Sequence, residues 1–123
     1  MSDTKIQTGK SGEDEACVYL TAHGYRIRER NVKFKNGEID IVAQEGRFIC
    51  FIEVKTRSSE DYGSPFEAVA YYKQRKLSRL ALTYLKYKQM LEASARFDVV
   101  AVLRKSDGPP QIDLVKNAFE FIE

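Results

Sequence analysis

Two short segments constrain this chain more than any other part of it: Gly37-Glu38-Ile39-Asp40-Ile41-Val42-Ala43 and, after a turn, Phe51-Ile52-Glu53-Val54-Lys55. Both have the β-branched and aromatic content of strands. The apolar run Phe48 to Ile52 is the pattern of a strand buried on both faces. Side chains alternate along a strand, so Glu38 and Asp40 share one face, and Phe51, Glu53 and Lys55 share one face of the next strand. Taking Glu45-Gly46 as a two-residue hairpin loop pairs Gln44 with Arg47 and sets Asp40 opposite Phe51, diagonal to Glu53. Diagonal neighbours lie roughly 7 Å apart across a ladder, so two carboxylates and a lysine come to one place.

The flanking segments supply the rest of a mixed sheet with helices against it. Ala16, Cys17 and Leu20 fall at helical spacing before Gly24, and Ser11 with Asp14 reads as a capping box, so a first helix is expected from near Ser11. Glu13 lies on the Ala16 and Leu20 stripe, where an acid needs a partner. Tyr25 to Phe34 reads as a strand with a bulge near Glu29 and Arg30, joined to the next strand through an Asn36-Gly37 turn. After the polar loop Ser58 to Gly63, Ser64-Pro65 and Glu67 form a second capping box, predicting a long helix from Pro65 to about Leu91 with Val69, Leu77, Leu80, Ala81 and Tyr84 inward. Arg96 to Leu103 reads as a buried strand, Gln111 to Val115 as a short last one, and Asn117-Ala118-Phe119 as the start of a tail or short helix.

The expected fold class is therefore α/β, a mixed central β-sheet flanked by α-helices, and 123 residues suit a single domain spanning 1–123. A net charge of +2 does not by itself identify a partner, but charge is unevenly spread: Phe66 to Met90 holds six basic residues against Glu67 alone. Cys17 and Cys50 sit in apolar contexts that suit reduced thiols, and no stretch resembles a signal peptide or a membrane span. A cytoplasmic location without membrane contact is expected.

Carboxylates beside an open coordination position suit Mg2+ or Mn2+, hard cations that prefer oxygen ligands. Asp40 and Glu53 are the expected primary ligands, with the Val54 carbonyl and Glu13 completing the set. Lys55 is expected to act electrostatically in catalysis, and Gln74, on the inward side of the long helix, to orient water or contact phosphate. Arg57, Lys73, Arg75, Lys76 and Arg79 are candidates for nucleic-acid backbone contacts. Each residue also has a plainer role open to it: ion pairs for Asp40, Glu53 and Lys55, a first-turn acid for Glu13, an ordinary helix-face amide for Gln74, and a solvated face for the basic residues.

These residues, with Gly12-Glu13, Gly24-Tyr25, Arg30-Asn31, Gly63-Ser64-Pro65, Lys73-Gln74-Arg75-Lys76-Leu77 and Arg96-Phe97-Asp98-Val99, resemble the YraN-like family of bacterial proteins over nearly the whole chain. That family is identified as a member of the restriction-endonuclease-like superfamily, whose motif of an acid followed by acid-x-lysine matches Asp40 and Glu53-Val54-Lys55. The proline that precedes the first motif acid in restriction enzymes is replaced by Ile39. The resemblance implies a restriction-endonuclease-like fold, similarity to archaeal Holliday-junction resolvases with Glu13 and Gln74 as matches to their accessory residues, and a homodimer, although no stripe marks its interface. The function it implies is metal-dependent hydrolysis of nucleic acid, DNA in particular, at branched or repair intermediates. A non-catalytic nucleic-acid-binding or scaffold protein that retains the nuclease-like fold is the alternative.

Overall fold

A computed structural model describes residues 2–58 and 69–123, with side chains described over 11–58 and 69–123. Its elements are α1 (Ser2–Ala22), β1 (Arg26–Phe34), β2 (Gly37–Glu45), β3 (Phe48–Ser58), α2 (Tyr71–Tyr87), β4 (Ser94–Arg104) and β5 (Gln111–Phe119). The five strands form one sheet in the order β1-β2-β3-β4-β5. Only β3 and β4 run parallel. A parallel pair cannot be joined by a tight turn, and the connection between these two carries α2. This is the mixed α/β sheet that the sequence pattern implies, and it matches the restriction-endonuclease-like architecture that the family resemblance implies.

The two helices cover opposite faces. Ile39, Val42, Ile49, Phe51 and Phe97 pack beneath Leu77, Leu80, Ala81, Tyr84 and Leu85 of α2. Ile41, Ala43, Cys50, Ile52, Val100 and Val102 pack beneath Ala16 and Leu20 of α1. Burial of a large apolar side chain contributes roughly 1.5–3 kcal/mol, so these layers hold both helices on the sheet. The continuous apolar run in β3 follows directly, because Ile49 and Phe51 face one helix while Cys50 and Ile52 face the other.

Several local expectations need correction. α1 begins before Ser11, whose hydroxyl bonds Glu15 Oε1 at 3.1 Å from within the helix instead of capping it. The bulge in β1 lies one residue earlier, at Arg28, between the pairs Ile27↔Ala43 and Glu29↔Val42. The turn into β2 is Lys35-Asn36, since Gly37 is already paired with Phe34. A Cβ on Gly37 would stand 2.7 Å from Lys76 Cε and 3.1 Å from Leu80 Cδ1, so the glycine lets this hairpin end meet α2. The predicted loop after Ser58 and the capping box Ser64-Pro65-Glu67 lie outside the described residues. Ala70, at φ −56° and ψ 144°, is not helical, so α2 starts at Tyr71 and is not continuous from Pro65. At the other end the chain leaves the helix after Tyr87 and turns at Gln89, φ +57°, short of Leu91. β5 continues to Phe119, where a tail or helix was expected, because Phe119 pairs with Phe97 and stacks on its ring.

A buried polar cluster ties the sheet together on the α1 side. Asp98 is fully buried and accepts from Tyr25 Oη at 2.8 Å, Arg96 Nε at 3.0 Å and the backbone N–H of Asn117 at 2.9 Å. Arg96 also donates to Glu45 at 2.5 Å, and Lys116 pairs with Glu45 at 2.6 Å. A buried carboxylate is tolerated when its lone pairs are filled in this way.

Docking of α1 on β3 depends on the absence of a side chain at Gly12, where a Cβ would lie 2.3 Å from Thr56 Oγ1. Gly12→Ala should destabilise the protein by about 1–3 kcal/mol through overpacking. Adding Thr56→Ala should recover most of that loss. Urea denaturation of the two single variants and the double variant checks this; additive losses would show that the helix does not approach the strand here.

Candidate metal centre

The ladder between β2 and β3 runs from Glu45↔Phe48 to Ile41↔Ile52. Its loop is Gly46-Arg47, with Gly46 in the left-handed conformation at φ +57°, and not Glu45-Gly46 as the sequence suggested. The resulting register is shifted by two residues, which preserves the strand faces over the paired residues 41–45 of β2. Continued one step beyond Ile41 and Ile52, it sets Asp40 directly across from Glu53 instead of diagonal to it.

At that step a side chain takes over from the backbone. Asp40 Oδ2 accepts the N–H of Val54 at 2.9 Å. A strand N–H points within the plane of its sheet, so the carboxylate sits level with the sheet, in the position of a missing strand neighbour. The alternation of β2 changes phase at the same place, since Ile39 packs under α2 and Ile41 under α1. Across on β1, Asn31 adopts φ +52°.

Asp40 therefore stands between two groups of acids. Glu13 from α1 and Glu38 from β2 each offer a carboxylate oxygen, and these and the Asp40 oxygen all lie within 4.8 Å of one another. Glu53 follows the α2-facing Phe51 and turns to that helix, where Lys73 Nζ meets its Oε1 at 2.7 Å. Lys55 is half-buried two residues beyond Glu53 on the same face of β3, in register with Ala101. Val54 participates through its N–H, whereas the sequence reading makes its carbonyl a candidate metal ligand.

The remaining candidates are more dispersed. Gln74 donates from Nε2 to the Val69 carbonyl at 2.7 Å, bracing the entry to α2. Lys73 is drawn to Glu53, while Arg75, Lys76 and Arg79 line a separate cleft. Arg57 is exposed and donates to the Thr56 carbonyl. Glu38 is the residue that the sequence-based set lacked. Its signal was the shared strand face with Asp40.

The electrostatics follow from this crowding. Burial pushes the Asp40 carboxyl up to about 7, the Glu53 charge pushes the same way, and Glu13 and Glu38 add to it against the opposing Val54 hydrogen bond. Burial also raises Glu13, opposed by Arg30, which lies 3.9 Å from it and 2.6 Å from Asp14. Gathered carboxylates that resist ionisation together are a site where added positive charge is favoured. An all-oxygen donor set fits a hard divalent cation of the Mg2+ or Mn2+ type.

The model of the uncharacterised protein family UPF0102 matches residues 12–102. The chain belongs to that family. It is 50% identical to a UPF0102 protein of Geobacter metallireducens over 91% of this chain and 91% of that one. A UPF0102 protein of Geotalea uraniireducens is 48% identical over 91% of this chain and 88% of its own, and one of Syntrophus aciditrophicus is 49% identical over 94% and 90%. The UPF0102 match begins at the glycine that seats α1 on β3 and takes in Glu13, Glu38, Asp40, Glu53 and Lys55.

Asp40 also sets a pH dependence. Its ordinary value is 3.8 and its value in the fold about 7. Between these pH values the folded chain retains a proton that the unfolded chain has released, so stability falls as pH rises through the window and levels off above it. Without divalent ions, wild-type protein should lose a few kcal/mol relative to Asp40→Asn between about pH 4 and pH 7, at about 1.4 kcal/mol per pKa unit. Saturating Mn2+ at about pH 7 should raise the Tm of the wild type and leave that of Asp40→Asn nearly unchanged. Parallel pH profiles for the two proteins would mean that Asp40 is not the strained acid.

Proposed function

We propose that this protein hydrolyses phosphodiester bonds in nucleic acid, DNA in particular, with Mg2+ or Mn2+ as cofactor. The observation that carries this reading is the Asp40 carboxylate at the parting of β2 and β3, with Glu13 and Glu38 gathered on one side and Glu53 on the other. Asp40, Glu13 and Glu38 would hold the cation, with Glu53 as the acid across the ladder. A bound divalent cation supplies a Lewis acid for a phosphoryl oxygen.

The protein's own residues account for the rest of the chemistry. Asp40, accepting from Val54, is held against the β3 backbone. Lys55 projects on the Glu53 face as a compact positive charge, suited to hold a phosphate and to stabilise charge that develops on it. Lys73, paired with Glu53, holds that carboxylate in its orientation. The restriction-endonuclease-like architecture and the likeness of these motifs to YraN-like proteins and archaeal resolvases support the same chemistry, with branches, flaps or other repair intermediates as substrates. We place its action in the cytoplasm, in keeping with the free thiols of Cys17 and Cys50.

One observation favours a second reading. Glu53 is paired with a lysine, which is also how a nucleic-acid-binding relative without turnover would neutralise the acid.

Purified protein should cleave at least one member of a panel of branched, flapped and single-stranded DNAs with Mg2+ or Mn2+, and none with chelator. Asp40→Asn and Lys55→Gln should each slow cleavage by about 100-fold or more. Binding without cleavage across metals and substrate shapes decides for the second reading, and unchanged activity in either variant identifies a contaminant. Titration calorimetry with Mn2+ separates the roles: Asp40→Ala should lose most metal binding, whereas Lys55→Ala should retain it, because an ammonium cannot ligate a cation. Wild-type metal affinity in Asp40→Ala would remove the site.

A further inference from the structure

The β1–β2 hairpin and α2 enclose a cleft of about 330 Å³ lined by Asn36, Tyr72, Arg75, Lys76 and Arg79. Its three cations come from one helix at positions i, i+1 and i+4, so they project along one side of α2. None of the three enters a salt bridge among the described residues, although Lys73 on the same helix is held by Glu53. Three adjacent cations that no described acid pairs with repel one another, and an anion placed among them relieves that repulsion. The cleft has the size of a small-ligand pocket.

Tyr72 adds a second kind of contact. Its side chain is 74% exposed, and it lines the same cleft as the cations. Core packing does not account for an aromatic ring held this far into solvent. Beside phosphate-binding cations, the ring gains a partner when a nucleobase can lie against it. Paired bases are stacked inside a duplex, with their faces covered, so a ring at the level of the phosphates meets a base face only where a strand is unpaired. The hairpin amide of Asn36 adds hydrogen-bonding capacity on the opposite wall.

We propose that this cleft binds a single-stranded segment of nucleic acid, its phosphates held by Arg75, Lys76 and Arg79 and one base stacked on Tyr72. The segment then runs toward the metal centre, because Lys73, one residue along α2 from Tyr72, touches Glu53. The inference rests on the nucleic-acid reading above and not on turnover. It narrows the substrate class to structures with an unpaired strand.

Fluorescence anisotropy in chelator, where no cleavage occurs, tests this with a labelled single-stranded oligonucleotide and the blunt duplex of the same sequence. Wild type should bind the single strand more tightly. Tyr72→Ala should weaken single-strand binding by about tenfold or more and change duplex binding by less than about twofold, while Tyr72→Phe keeps the wild-type preference. Arg75→Gln combined with Arg79→Gln should lower the salt slope for the single strand by about 1.4, at roughly 0.7 per lost phosphate contact. Equal losses on both DNAs in Tyr72→Ala, no loss at all, or an unchanged slope in the charge variant overturns the proposal. A separate Mn2+ cleavage assay distinguishes the two failures. Tyr72-dependent binding without cleavage removes only the catalytic reading, and cleavage with Tyr72-independent binding removes only this one.

Discussion

A single hydrogen bond organises the centre of this protein, that from the Val54 N–H to the Asp40 carboxylate. Beyond Ile41 and Ile52 the β2–β3 register ends, while β3 continues in pairing with β4 as far as Ser58. The released backbone donor needs an acceptor, since an unpaired buried N–H costs about 1–3 kcal/mol. Asp40 provides one, and in doing so is drawn into the sheet plane among Glu53, Glu13 and Glu38. The bond that satisfies the backbone thus also creates the concentration of negative charge.

The two ends of β3 are stabilised by different means. Toward the β2–β3 turn, charge is balanced within the protein: Asp98, Arg96, Glu45 and Lys116 form an alternating chain of acid and base, closed by Tyr25. At the other end, acids crowd together, and among the described residues Lys73 meets Glu53 while Arg30 leans chiefly on Asp14. A neutral polar network favours one fixed arrangement. The acid-rich end leaves the Asp40 carboxyl with a raised affinity for protons, and so for other positive charge.

What the sequence made legible were the features with short-range causes. The doubly buried β3, the amphipathic α2 and the gathering of Asp40 with Glu53 across adjacent strands all follow from apolar periodicity and turn residues. Turn positions were less legible, since Glu45-Gly46 and Gly46-Arg47 place the same glycine in different slots and differ by two residues in register. The end of β5 was hidden because its pairing depends on Phe97 and on the Asp98 contact to the Asn117 N–H. Likewise, nothing local to Asp98 announces a buried acid whose partner Tyr25 lies 73 residues away. Glu38 could be read on the Asp40 face, but its meeting with Glu13 depends on where α1 docks.

That docking gives the acidic cluster a place in time as well as in space. Glu38 and Asp40 come from a strand hairpin, but Glu13 arrives on a helix that seats Gly12 against Thr56 and packs Ala16 and Leu20 on the sheet. Collecting these carboxylates therefore requires the first helix and the third strand to have met, so the cluster is a product of assembly and not a property of any fragment. A chain still emerging or partly unfolded holds its acids apart, and whatever chemistry they perform together begins only in the finished molecule.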